Sequence, residues 1–241
     1  MTITLLFPVY NEEKNVENTI KQIYEFSKKY SFELVFSLDG CTDNTLEKLK
    51  LELKKYNLSA KILVRKKNMG KGKTVKEGIM KVNTNLVLVS DFDLSTPLEE
   101  LEKLLKYIDE YDIVIGSRWI NTDKIKNTPK RKIMSFLSIL LINLLLNLKV
   151  KDSQCGFKLF KTKIAKEIFK LSKINRFGYD FEILLIAKLN KIKYKEVPVR
   201  WSFNSNSKVK LESYFVTLKE LISVYLDLIF NRKRYYISKK N

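Results

Sequence analysis

Residues 86–97 read LVLVSDFDLSTP, and the way this stretch changes character decides the fold. Leu86 to Ser90 is an apolar run too short for a helix, as a strand buried on both faces would be. Polar residues then break it abruptly, with Asp91 and Asp93 two apart. In extended backbone they point the same way and bring two like charges together, which is costly without a cation. Similar runs occur at Ile3–Phe7, Leu34–Leu38, Ile62–Val64 and Ile113–Ile115, separated by periodic segments of helical length at 12–29, 43–56, 71–82 and 97–109. The alternation predicts an α/β fold with a mostly parallel central sheet and flanking crossover helices. Such sheets bind ligands beyond the carboxyl ends of their strands.

The chain of 241 residues is long enough for one full core, and 45% hydrophobic with 30% charged residues excludes wholesale disorder. Its net charge of +19 is unevenly placed. Residues 1–120 carry 19 basic and 18 acidic side chains, whereas 121–241 carry 27 and 9. The back half therefore suits an anionic partner: a phosphate, a nucleic acid or an acidic membrane surface. With no histidine, a Ser-His-Asp triad, a His base and His metal ligands are excluded, and any metal must sit on oxygen. Two cysteines, Cys41 and Cys155, are too few for a zinc site or a disulfide framework and favour a reducing cytosolic compartment. The N-terminus lacks the pattern of a signal peptide.

From Ile133 to Leu148 sixteen residues pass without a charge, between Lys130-Arg131-Lys132 and Lys149. A bilayer span needs about 20 apolar residues, so this run reads equally as a core helix or as a helix in the membrane interface. Phe215, Leu218, Ile222, Tyr225 and Ile229 recur at helical spacing, and NRKRYYISKKN follows with five basic residues and no acid. That tail is either a solvated end or a match for anionic headgroups.

The remaining polar loops fall at strand ends. In FPVYNEE, Asn11 can cap the following helix and Glu12 and Glu13 fit its first turn; in SLDGCTDNT, Asp39 and Gly40 make a turn and Asp43 can cap. Capping alone accounts for each of these singly. NMGKGKTVKEG fails both phosphate-loop fingerprints, because Lys67 and Val75 stand where glycine is required. It remains a glycine-rich cationic loop opening a helix. Asp91 and Asp93 suit Mg²⁺ or Mn²⁺, completed by water and the phosphate oxygens of a nucleoside diphosphate.

FPVYNEE, DGCTDNT, NMGKGKTVKEG, SDFDLSTP and IGSR, in this order, resemble the family 2 glycosyltransferases of GT-A fold. DSQCGFKLF, FGYDFEILLIA and EVPVRW resemble more narrowly the dolichyl-phosphate sugar synthases, especially the glucosyltransferase-like branch. The resemblance spans about 2–208 and implies a GT-A domain over 1–208, with 209–241 a C-terminal amphipathic helix and basic tail at the membrane interface. It implies that Pro8, Asn11, Glu12 and Asp39 line the base and ribose pocket with Lys71 nearby. Asp91 and Asp93 would face the diphosphate and hold the metal, although Ser95 stands where mannosyl relatives often carry Gln. Arg118, Arg131 and Ser135, with Lys208, match positions that would hold the acceptor phosphate. Asp152, Asp180 and Glu182 match family positions of unassigned role. In plain terms Arg118 and Asp180 could equally form structural ion pairs, and Cys155 and Phe157 could be core.

The implied reaction moves a sugar, UDP-glucose being the favoured donor, to dolichyl or polyprenyl phosphate with inversion. A monoalkyl phosphate has a second pKa of about 6 and attacks without a general base, which agrees with the missing histidine. The expected protein is peripheral or monotopic at the cytoplasmic face of an anionic membrane, with helices 133–148 and 213–230 touching the bilayer. Alternatives are a family 2 transferase using UDP-GlcNAc or GDP-mannose, or one extending a soluble glycan with Asp180 or Glu182 as base. A nucleic-acid binder, suggested only by charge, lacks every local recognition motif; no nucleic acid is expected.

Overall fold

In the computed structural model the described residues are 2–120, 129–202 and 211–238. Seven strands form one sheet: β1 (Ile3–Val9), β2 (Glu33–Asp39), β3 (Lys61–Arg65), β4 (Leu86–Val89), β5 (Ile113–Ser117), β6 (Lys158–Lys161) and β7 (Tyr194–Pro198). Their order is β3-β2-β1-β4-β6-β5-β7. β6 alone runs antiparallel, wedged between β4 and β5, and it pairs Lys158 with Val89.

Strand side chains alternate between two apolar layers with the period of two that an extended chain imposes. Leu6, Val87, Val89, Ile113 and Ile115 face one layer; Leu5, Phe7, Leu86, Leu88 and Val114 face the other. Helices α1 (Val16–Ser27) and α2 (Thr45–Lys55) cover the second layer, together with a short helix α4 (Leu101–Leu105). The first layer is covered by α3 (Lys71–Met80), α5 (Pro129–Leu146), α6 (Thr162–Leu171), α7 (Tyr179–Leu189) and α8 (Leu211–Phe230). The five expected strands are present. β6, β7, α6 and α7 lie in segments quoted above as motifs but not assigned as elements. The expected helix 97–109 is short because a 3-10 turn at Leu98–Glu100 opens it and turns close it after Leu105.

α8 inverts a simple amphipathic reading. Leu221 and Val224 are its buried contacts, whereas Phe215, Leu218, Ile222, Leu226 and Ile229 are exposed. α5 touches α8 and shows the same split, with Ile142 and Leu146 buried and Leu137, Leu140 and Leu144 exposed. After α8 the basic tail folds back: Tyr235 is buried, and Arg234 pairs with Glu182 and Asp227. No helix among the described residues is long and apolar enough to cross a membrane.

Candidate active site

The carboxyl ends of β1, β2, β4 and β5 meet along one edge of the sheet, as parallel pairing requires. Because β6 runs the other way, its entry turn, Cys155 to Phe157, arrives at the same edge beside the end of β4. This placement builds the site.

After Val89 the chain does not stay extended. Leu94 N–H donates to the Asp91 carbonyl at 3.2 Å, and Leu94 takes a φ of 49°. The expectation of an extended pair is corrected to a tight turn with its carboxylates at the first and third positions. Phe92 between them is driven into the core, edge-on to Phe7 and Phe36, and Thr19 Oγ1 donates to its carbonyl at 2.7 Å. The turn is therefore anchored from below, and the two charges still meet. Asp93 is pushed up by burial and then by Asp91, against the hydrogen bond from Ser95 N–H. Burial also acts against Asp91, but the Lys71 ammonium, Arg118 and Lys158 outweigh it and hold its carboxyl below the usual range. Lys71 Nζ lies 2.5 Å from Asp91 Oδ1. Desolvation opposes this ammonium too, yet Asp91, Asp180 and Asp93 together raise its pKa.

Asp39 lies at the end of β2 and is 3% exposed. It accepts from the Met69 and Gly70 amides, both at 2.8 Å, and pairs with Arg65. It thereby fixes the glycine-rich loop leading into α3. Gly70 has a φ of 101°, and a Cβ there would collide with the Asn175 carbonyl, so no other residue fits without strain. Asn11, in left-handed conformation, exchanges hydrogen bonds with Thr42 instead of capping α1, whose N-cap is Asn15. Glu12 N–H donates to Thr45 Oγ1, and Asn15 donates to Glu12 Oε2. Asp43 does serve the start of α2, accepting from Thr45 N–H at 3.1 Å. Pro8, Asn11, Glu12 and Asp39 thus share the β1–β2 end of the edge, and Lys71, Asp91 and Asp93 occupy its centre.

Arg118 follows β5 and forms a two-pronged pair with Asp152, Nε at 2.8 Å and Nη2 at 2.9 Å. Burial disfavours its charge, but Asp152 more than compensates and its pKa is raised. The guanidinium carbon sits 5.7 Å from the Trp201 ring centre, within cation–π range. Asp180 pairs with Lys158, which also donates to the Cys155 carbonyl at 2.5 Å. The ion-pair alternatives for Arg118 and Asp180 are therefore present, and Cys155 and Phe157 are core, each 1% exposed. Glu182 is fully buried and accepts from Ser172 Oγ, the Lys173 and Ile174 amides and Arg234. The carboxylate thereby braces the segment before α7 against the tail. Arg131 and Ser135 fall on α5 with side chains outside the described set, and Lys208 lies outside the described residues altogether.

Three contributors were not singled out from the sequence: Gly156, Lys158 and Glu196. A Cβ on Gly156 would overlap the Asp91 carboxylate. Glu196 on β7 accepts from the Lys151 and Asp152 amides and so holds Arg118's partner. The signal available was a lone lysine inside the apolar run GFKLF.

Among the described residues no group of three or more Asp, Glu, Cys or His could hold a metal ion. Two adjoining carboxylates, one of them raised by the other, are nonetheless a donor set suited to a hard divalent cation completed by substrate phosphate.

An open sheet with paired carboxylates and a pinned cationic loop at its carboxyl edge defines a protein built to hold a phosphorylated, nucleotide-like ligand there. Residues 4–169 match the family model described as glycosyl transferase family 2, and the chain belongs to that family. It is 35% identical to a dolichyl-phosphate beta-glucosyltransferase of Trichomonas vaginalis over 95% of this chain and 74% of that one. The human dolichyl-phosphate beta-glucosyltransferase is 27% identical over 97% and 75%. Among solved structures, glucosyl-3-phosphoglycerate synthase from Mycobacterium tuberculosis, in complex with Mn²⁺, UDP and glucosyl-3-phosphoglycerate, superposes with a TM-score of 0.71. It is 16% identical and covers 94% of this chain and 79% of that one. The fold is accordingly GT-A and the protein is a glycosyltransferase.

Proposed function

We propose that the protein transfers glucose from UDP-glucose to dolichyl or another polyprenyl phosphate at an anionic membrane surface, inverting the anomeric centre. The observation that carries this reading is the cluster of Lys71, Asp91 and Asp93 at the tip of β4, on the same edge as Arg118. The names of the relatives supply the acceptor and the sugar, and the mycobacterial complex with Mn²⁺ and UDP supports a uridine donor.

Pro8, Asn11, Glu12 and Asp39 form the wall for the base and ribose, with Asp39 acting through the loop it pins. Asp91 and Asp93 would hold Mg²⁺ or Mn²⁺ against the diphosphate. When bound, that ion offsets charge on the departing nucleoside diphosphate. Arg118, held in orientation by Asp152 and Trp201, meets the acceptor phosphate, with Arg131, Ser135 and Lys208 as further contacts. The acceptor oxygen is already ionised near neutral pH, so the chain needs only to align it with the anomeric carbon and screen the repulsion between two phosphates. Occupation of Asp180 by Lys158 and of Glu182 by four donors argues against a transferase that activates a neutral sugar hydroxyl with either carboxylate.

The exposed apolar residues of α5 and α8 form the proposed contact with lipid, so the expected membrane-interfacial part at 209–241 narrows to the outward face of α8, with Leu221, Val224 and Tyr235 turned to the core. The test supplies labelled UDP-glucose, UDP-GlcNAc and GDP-mannose separately with dolichyl phosphate and Mn²⁺, then counts label in the organic phase. Label from UDP-glucose, abolished by EDTA, is expected. No organic-phase label from any donor overturns the reading.

A further inference from the structure

Lys71 is the first residue of α3, the end of a helix where the backbone dipole disfavours a cation. What holds its ammonium there is Asp91, with Nζ 2.5 Å from Oδ1, and the side chain retains 21% exposure. The flanking backbone cannot follow it. Gly70 and Gly72 are wedged against residues 174–176 and Tyr179, and Lys73 N–H donates to the Asn175 carbonyl at 3.0 Å. Only the side chain of Lys71 is free to change partner. The oxygen it occupies belongs to the same carboxylate pair that a divalent ion needs.

We propose that Lys71 is the resident counter-cation of Asp91, yielding that carboxylate to the divalent ion and moving onto the donor diphosphate, so that metal and nucleotide bind cooperatively. The inference rests on the metal reading given above. A divalent ion arriving alone must break the Lys71–Asp91 pair and then share a confined cleft with the displaced ammonium, which repels it. Arriving with a nucleoside diphosphate, it leaves that ammonium beside phosphate oxygens, which accept charge-assisted hydrogen bonds. The lysine therefore penalises metal without nucleotide and rewards the two together. By reciprocity, nucleotide without metal is penalised as well.

The test measures Mn²⁺ binding by the loss of free-ion electron paramagnetic resonance signal, with and without UDP, and UDP binding by calorimetry with and without Mn²⁺. The parent protein binds each ligand about tenfold more tightly in the presence of the other. Lys71→Met and Lys71→Gln are expected to bind Mn²⁺ alone about tenfold more tightly than the parent. Both bind UDP with Mn²⁺ about tenfold more weakly and lose the cooperativity. Lys71→Arg retains a cation and restores it. Unchanged affinity for Mn²⁺ alone in both neutral variants, each confirmed folded by its thermal melt, overturns the proposal. Asp91→Asn and Asp93→Asn separate the two layers of the argument. If both lose Mn²⁺ while the lysine variants behave as the parent does, the exchange alone has failed; if both keep Mn²⁺, the metal reading fails and the exchange with it.

Discussion

Gly156 shows how a residue without a side chain can be required by a neighbour's. The space its Cβ would take is filled by the Asp91 carboxylate, a movable group, so Gly156→Ala can be accommodated by swinging that carboxylate aside. The expected result is an enzyme whose melting temperature stays within a few degrees of the parent while turnover falls about a hundredfold, because the displaced carboxylate no longer faces the diphosphate. Equal losses of stability and activity would show that the glycine serves the fold alone. Asp93 behaves in the opposite way from a stabilising residue. Burial and Asp91 raise its pKa, so the cost of ionising it is present above the folded pKa and absent below the ordinary carboxylate value of about 3.9. Asp93→Asn should therefore melt higher than the parent at pH 7, with the gain vanishing as the pH falls below 4, while activity is lost. Asp91 and Asp93 were legible in the sequence because a charge pair at the end of an apolar run has no cheap structural reason. Gly156 was not, since its reason is a carboxylate more than sixty residues earlier in the chain.

At the scale of elements, β6 decides what the site contains. It is four residues long, and its first residue is Lys158, 2% exposed, paired with Asp180 from α7, 22 residues further along the chain. Breaking a buried pair strands the surviving charge and costs about 3–5 kcal/mol. Asp180→Asn should lower the melting temperature by about 10 °C for a chain of this size. Replacing both partners, Lys158→Met with Asp180→Leu, should recover most of that stability without recovering activity, since the charges around Lys71 and Asp91 are then altered. A double variant no more stable than the single one would disprove this account. Glu100, buried at the turn opening α4, ties Lys103 to the backbone and side chain of Arg200, the residue before Trp201. Desolvation opposes its charge, but Lys103 and Arg200 prevail and its pKa is lowered. Its contribution is thus present above about pH 4.3 and lost as the pH falls through the lowered folded value, so Glu100→Gln should erase that part of acid unfolding. β1, β2, β4 and β5 could be read from sequence because each is a largely apolar run buried on both faces, and edge strand β3, though half-exposed, keeps the short apolar run Ile62–Val64. β6 and β7 carry lysine and glutamate whose partners are distant, and local periodicity does not encode such pairings.

For the molecule as a whole, the two halves of the charge distribution have separate tasks. The balanced first half supplies the part of the edge proposed to hold the nucleotide, where Asp39, Asp91 and Asp93 meet Arg65 and Lys71 at short range. The cationic second half supplies α5, α8 and the tail, whose outward faces carry Leu137, Leu140 and Leu144 beside Phe215, Leu218, Ile222, Leu226 and Ile229. The spacing of those side chains was visible in the sequence, but which stripe faces the core was not, because Leu221 and Val224 offer a second apolar stripe on the same helix. On the proposed function this apolar face beside basic residues meets an anionic bilayer, each inserted large side chain contributing about 1.5–3 kcal/mol. Leu144→Glu with Ile222→Glu removes two such groups from exposed positions. The variant should keep its melting temperature and its affinity for UDP, yet float at least a hundredfold less with phosphatidylserine vesicles and need far more dolichyl phosphate for half-maximal rate. The parent's flotation should weaken in high salt, because the basic tail adds a screened attraction to the apolar one. If the double variant floats as the parent does, lipid is bound elsewhere, and the outward stripes of α5 and α8 need a different partner.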